Sequence, residues 1–397
     1  MKPASLYLHI PFCTHRCSYC DFNTYAGLEN QIPGYVRALR REIDHLGTSA
    51  GERLPVHTIF FGGGTPSLLS AAQLAEILEE IARYFTLLPG LEITLEANPG
   101  TLSLAYLQAL RETGVNRLSL GMQSANPGEL RLLERQHDYK DVTQGVHWAR
   151  QAGFENINLD LIFGLPYQSL QAWQQNLELA LGLRPDHFSL YALTLEHGTP
   201  MEHWVARGLL SEPDPDLAAE MYEWSGGRLA QAGYRQYEIS NWARLDEGGQ
   251  PLACKHNLQY WRNEPYFGLG AGAHGFAGGV RTANVLSPAA YVQRCASDRS
   301  NDNGQPFPRT PATVDVRQID CETEMGETMM MGLRLTEEGV SRKQFEARFG
   351  VSLETAFGKP IRELQRTGLL EWAGEGDVLR LTPRGRLLGN RVFMEFV

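Results

Sequence analysis

Short apolar runs recur through the first half of the chain, each followed by a longer segment with helical periodicity. The runs are Leu6–Ile10, His57–Phe61, Glu92–Glu96, Arg117–Leu120, Asn156–Ile162 and His187–Tyr191. Between them, Pro33–Leu46, Ala71–Tyr84, Leu104–Glu112, Val142–Gln151 and Leu170–Leu181 carry apolar residues three and four apart. This alternation of strand and helix predicts a parallel sheet with crossover helices. The strand runs read as apolar almost throughout, which predicts strands buried on both faces.

After Tyr191 the rhythm changes. Thr194–Asp214 reads as loop, a helix is expected near Leu217–Gln231, and Tyr234–Phe276 is rich in glycine and aromatic residues. Residues 297–311 are polar with three prolines and read as a linker. Beyond it, Cys321–Thr336, Arg342–Phe349 and Ile361–Thr367 look helical. With a strand pair near Leu370–Trp372 and Val378–Leu381 and the segment Thr382–Phe396, they outline a small α+β domain patterned like a winged helix. The expected organisation is a barrel over 1–235, a barrel-edge segment over 236–311 and a C-terminal domain over 312–397.

The 397 residues hold 36 Lys plus Arg against 46 Asp plus Glu, a formal net charge of −10. That balance argues against a nucleic-acid-coating protein, which needs a basic surface to displace counterions. No apolar run approaches the roughly 20 residues of a membrane helix. Met1–Ile10 lacks the long apolar core of a signal peptide, so a cytoplasmic location is expected. In that compartment the six cysteines are expected to stay reduced.

Three of those cysteines, Cys13, Cys17 and Cys20, fall close together after the first strand with the spacing C-x3-C-x2-C. Zinc wants four tetrahedral ligands, and His9 or His15 could be the fourth. Thiolates equally suit an iron–sulfur cluster, where three cysteines on four irons leave one iron open to a small molecule. Gly62-Gly63-Gly64-Thr65-Pro66 follows the second strand, where a glycine run permits close backbone approach. Glu96, Gln123 and Asp160 end or follow later strands, and in a βα barrel such positions share one rim.

The triplet Cys13-Thr-His-Arg-Cys17-Ser-Tyr-Cys20, followed by a glycine loop after the second strand, resembles the radical S-adenosylmethionine (SAM) signature. The resemblance implies a [4Fe–4S] cluster on Cys13, Cys17 and Cys20. It also implies SAM chelated to the open iron and cleaved to a 5′-deoxyadenosyl radical. Tyr7-Leu-His-Ile-Pro-Phe-Cys13, Phe61-Gly-Gly-Gly-Thr-Pro66, Leu120-Gly-Met-Gln-Ser124 and Asp160-Leu-Ile-Phe-Gly-Leu-Pro166 are similar to motifs of oxygen-independent coproporphyrinogen III oxidases and their relatives. That likeness implies an incomplete (β/α)6 barrel with a domain alongside. It implies SAM contacts from Tyr7, Tyr19, Gly63, Gly64, Thr65, Glu96, Gln123, Arg135 and Asp160.

Two departures separate the chain from the oxidases. They carry a further cysteine where this chain has Phe22, and a long arm before the cluster motif, whereas Cys13 comes almost at once. Both features resemble the haem-chaperone branch of the group. So does Lys255-His256-Asn257-Leu258-Gln259-Tyr260-Trp261, which fits H-N-x-x-Y-W. The resemblance implies haem as a bound group, with His256, Tyr260 and Trp261 as contacts and His274 or Cys254 as rival iron ligands. Imidazole is a good axial ligand, and the two rings offer flat faces to a porphyrin. It further implies haem-accepting partners at the respiratory membrane with peripheral association there, and leaves a homodimer open. Oxidative decarboxylation of coproporphyrinogen III is the alternative.

Overall fold

A computed structural model describes residues 3–296 and 306–397. The expected linker therefore falls for the most part, over 297–305, outside the described residues. The chain forms two compact units that interleave in sequence: 1–228 with 265–317, and 229–264 with 318–397.

The first unit is built on six parallel strands: β1 (Ala4–Ile10), β2 (Pro55–Gly63), β3 (Thr86–Ala97), β4 (Arg117–Gln123), β5 (Asn156–Phe163) and β6 (His187–Ala192). They lie side by side in chain order. On the other side of β1, Tyr266–Leu269 pairs parallel to it, and the antiparallel strands His274–Ala277 and Val280–Asn284 follow. The sheet is mixed and open, in keeping with an incomplete barrel. Five helices make the crossovers: α1 (Ile32–Ser49), α2 (Ala71–Tyr84), α3 (Leu104–Glu112), α4 (Tyr139–Gln151) and α5 (Leu170–Gly182). Ser70, Ser103, Asp138 and Ser169 cap the starts of α2 to α5, each accepting from a backbone amide of the first turn. Thr194–Asp214, expected as loop, also contains a short helix, Pro200–Ala206, capped by Thr199.

The strands are not apolar throughout, which corrects the expectation from their sequences. They are buried on both faces, but one face is apolar and the other polar. On β4, Leu118, Leu120 and Met122 are buried on one face, whereas Arg117, Ser119, Gly121 and Gln123 alternate with them. The register lines the polar residues up in rows. Thr94, Arg117 and Asn156 form one row, Glu96, Ser119, Asn158 and His187 the next, and Gly121, Asp160 and Ser189 the one above. The interior of the sheet's curve is thus a hydrogen-bonded polar floor.

In the second unit, helices Cys321–Gly332, Arg342–Phe349 and Leu353–Arg366 pack with a three-stranded antiparallel sheet formed by Val340–Ser341, Leu370–Ala373 and Val378–Leu381. Met329, Phe345, Leu353, Leu379 and Leu381 are core residues there. The hairpin Tyr234–Glu238/Asn241–Arg244 and the helix Lys255–Trp261 belong to this unit.

Candidate functional site

The cysteine loop begins where β1 ends. A two-residue strand, Phe12–Cys13, pairs with Tyr25–Ala26 and closes the loop on itself. Gly64 and Thr65 then fasten the glycine run of β2 to it, since their amides donate to the carbonyls of Ile10 and Phe12 at 2.9 and 2.8 Å. A Cβ on Gly64 would lie 2.6 Å from the Phe12 carbonyl oxygen, so this approach requires glycine. The Thr65 hydroxyl is 3.5 Å from the Cys13 sulfur. From the far side, the Asn23 side chain donates to the carbonyls of Ala271 and Leu286. The Asn23 carbonyl in turn receives Nε2–H of His9 at 2.9 Å. That carbonyl can only accept, so His9 Nδ1 is left to accept from the Tyr7 hydroxyl at 3.0 Å.

Cys13, Cys17 and Cys20 line one cavity of about 400 Å³ together with Tyr19, Gly63, Gly64, Thr65, Glu96, Gln123, Arg135 and Asp160. Four consecutive strands, β2 to β5, thus send residues expected from the sequence to one place. Tyr7 does not line the cavity. It stands behind the glycine run, hydrogen-bonded to His9. Phe22 is at the cavity mouth and 64% exposed.

Arg135 ties the cysteine loop to the rim. One guanidinium nitrogen lies 3.5 Å from the Cys17 sulfur and another donates to the Gly121 carbonyl at 2.9 Å. Burial works against its charge, but Tyr19 and the thiols of Cys17 and Cys13 outweigh that and stabilise the cation. Burial raises the thiols of Cys13 and Cys20 above their usual range. A metal group would displace those protons on binding. Gln123 adopts a left-handed φ of 61°, where β4 breaks register with β5. Such a conformation in a side-chain-bearing residue is strained and tends to collect at functional sites.

The two carboxylates differ in their support. Glu96 accepts the Gly63 amide at 3.0 Å, and burial, reinforced by the Asp160 charge, pushes its carboxyl up to about 8. Asp160 accepts from Ser119 at 2.9 Å and from Asn158 at 2.8 Å. Burial raises it too, while those hydrogen bonds and Arg117 pull it back. Asn158 also bonds His187 at 2.7 Å, linking the site to the floor. Sequence reasoning missed Arg117, Ser119, Asn158 and His187. Their signal was the alternation within β4, β5 and β6.

The donor set suits a cluster with an organic ligand better than a single zinc ion. Among the described residues, no three His, Cys, Asp or Glu side chains close on a point that one ion could fill. His9 has both ring nitrogens engaged, and His15 sits 3.7 Å from the Glu134 carboxylate. Three thiols with an open cavity beyond them, walled by two carboxylates and an amide, fit a cluster and a cationic, hydrogen-bonding cofactor.

His256, Tyr260 and Trp261 lie in the second unit on one short helix. His256 is 1% exposed and its Nε2 is 3.0 Å from the Tyr260 hydroxyl, the rings meeting edge to face. The Arg334 guanidinium lies 4.4 Å over the Trp261 ring. The imidazole expected as a haem contact is thus engaged by its i+4 neighbour. Cys254 is fully buried, and His274 is exposed on a strand of the first unit.

Comparison with known proteins gives the following. The radical SAM superfamily profile matches residues 7–180, and the HemN C-terminal domain profile matches residues 319–388. The haem chaperone HemW of Bacillus subtilis (strain 168) is 40% identical over 394 residues, covering 99% of both chains. The haem chaperone HemW of Lactococcus lactis is 37% identical, covering 100% of this chain and 98% of the relative. The structure of coproporphyrinogen III oxidase (HemN) from Escherichia coli superposes with a TM-score of 0.82. It covers 99% of this chain and 90% of that one at 24% identity, a likeness of fold.

Proposed function

The chain belongs to the radical SAM superfamily and, within it, to the HemW family, and on that premise we propose that it is a haem chaperone. In this reading it holds a [4Fe–4S] cluster and SAM in the cavity of the first unit, binds haem, and passes haem to acceptor proteins. The observation that carries the reading is the convergence of Cys13, Cys17, Cys20, Glu96, Gln123 and Asp160 on one cavity. A relative of the same length, named a haem chaperone, supports it.

Cys13, Cys17 and Cys20 would ligate three irons. A cluster with one open iron supplies a docking point for the amino acid end of SAM and an electron for its sulfonium. The protein's own residues orient that cofactor. The glycine run lets backbone approach it closely, and the Gly63 amide, already bonded to Glu96, fixes the carboxylate against the cavity wall. Asp160 is held by Ser119, Asn158 and Ser189 and lines the cavity, where its carboxylate would accept from hydroxyls. Arg135 places a cation beside Cys17 and offsets the negative charge of a thiolate-bound cluster.

For haem, the reading keeps His256, Tyr260 and Trp261 as contacts and adds a condition. The His256–Tyr260 hydrogen bond must open before Nε2 can ligate iron. Phe22 at the cavity mouth, where the oxidases carry a cysteine, favours the chaperone over coproporphyrinogen decarboxylation. The acceptor is proposed to be a haem protein of the respiratory membrane. Among the described residues no helix is long and apolar enough to cross a membrane. Anaerobically reconstituted protein titrated with haem tests the reading. It predicts saturable binding at one haem per chain, and no saturable binding would overturn it.

A further inference from the structure

Among the described residues, Arg117 is the arginine buried in the barrel floor. It opens β4, is 2% exposed, and pairs in register with Thr94 of β3 and Asn156 of β5. Two residues further along, the same strands carry Glu96 and Ser119, and Asn158 follows on β5. Arg117 therefore sits beneath the two carboxylates of the site, between the strands that bear them. Its field reaches three members of the floor. It lowers the carboxyls of both Glu96 and Asp160, and it disfavours protonation of His187. It does not line the cavity, so it acts through the carboxylates and not on the ligand.

Two carboxylates in one dry cavity resist joint ionisation. One cation below them offsets one negative charge. A cofactor with a sulfonium and an ammonium brings further positive charge from above.

We propose that Arg117 is a positioning residue for the cofactor site: its guanidinium balances the Glu96–Asp160 pair so that one carboxyl stays neutral until a cationic cofactor enters and displaces its proton. Glu96 carries that proton, since Asp160 has three side-chain donors, Ser119, Asn158 and Ser189, and Glu96 has one backbone donor. The proton leaves Glu96 for solvent, and the vacated carboxylate faces the cofactor's positive charge. The site thereby discriminates by charge, because a neutral analogue offers nothing to offset a second carboxylate. The charged groups that act on Glu96 are Asp160 on β5 and Arg117 on β4, and Glu96 in turn acts on Tyr7 of β1, which is bonded to His9. Tyr7 and the buried, hydrogen-bonded His9 are neutral at pH 7. The inference rests on the cavity being the SAM site.

The test is calorimetric titration of anaerobically reconstituted protein with SAM, in two buffers of different ionisation enthalpy, from pH 6.5 to 9.5. The difference between buffers counts the protons released. Wild type is expected to release about one proton from Glu96 at pH 7, fading as pH rises through about 8. Glu96→Gln is expected to release about one proton fewer, which also subtracts any contribution from the cofactor's own amine. Arg117→Met is expected to move the fade upward by about one pH unit, since an opposite charge is lost. Arg117→Lys is expected to restore it towards wild type. Asp160→Asn covers the case in which Arg117→Met does not fold. It removes the like charge, so less proton is released at pH 7. Equal release by wild type and Glu96→Gln overturns the proposal, as does an unchanged fade in Arg117→Met or unchanged release in Asp160→Asn. Absence of SAM binding by the wild type overturns the reading of the cavity, and the proposal with it.

Discussion

The backbone amide of Gly63 donates to Oε2 of Glu96 at 3.0 Å, joining the glycine run after one strand to the carboxylate that ends the next. Gly63 sits at φ 110°, and a Cβ there would lie 2.4 Å from Cε1 of His9. Gly63→Ala therefore strains the backbone and drives the loop off His9, at a cost of about 1–3 kcal/mol. The expected outcome is SAM affinity reduced about tenfold or more, read by anaerobic equilibrium dialysis, with a lowered melting temperature.

Removing any of Cys13, Cys17 or Cys20 as alanine is expected to strip the cluster. Anaerobic wild type should be brown with close to four irons per chain. Iron and sulfide analysis checks this, with Cys254→Ala and Cys295→Ala as controls. Both are buried outside the cavity lining, and each is expected to keep its iron.

Asp160→Ala and Gln123→Ala are expected to leave iron content unchanged while weakening SAM binding. Each loses a hydrogen bond, and for the charged Asp160 the loss is about 1.5–3 kcal/mol, tenfold or more in affinity. Iron lost in step with affinity would show that these residues hold the loop and not the cofactor.

The closed imidazole of the second unit makes a two-sided prediction. His256→Ala is expected to weaken haem binding and shift the Soret band. Tyr260→Phe removes the hydroxyl that occupies Nε2, worth about 1 kcal/mol, and is expected to tighten haem about fivefold. Neither is expected to change cluster iron. Wild-type affinity and spectrum in both variants would remove His256 from the haem site.

Much of the first unit was legible in the sequence. Ala71–Tyr84 and Leu104–Glu112 have the predicted bounds because serine caps and apolar periodicity mark both. The cysteine spacing and the strand-end positions of Glu96, Gln123 and Asp160 pointed to one rim. The polar floor was not legible as such. Leu118, Leu120, Leu159 and Leu161 dominate their strands, and Arg117, Ser119 and Asn158 look like interruptions until the register aligns them. The interleaving of the two units was also hidden, since local pattern does not say which unit a short helix such as Lys255–Trp261 packs into. A packed aromatic segment with a hydrogen-bonded histidine was one reading of the motif, and i,i+4 geometry on the helix supplies Tyr260 as the partner of His256.

The account turns on whether this protein carries a tetrapyrrole or transforms one. The most direct measurement incubates anaerobically reconstituted protein with SAM, reductant, haem and coproporphyrinogen III together, then resolves the tetrapyrroles by chromatography. The account predicts one haem retained per chain and coproporphyrinogen recovered intact. Conversion to protoporphyrinogen, with haem left unbound, would contradict it.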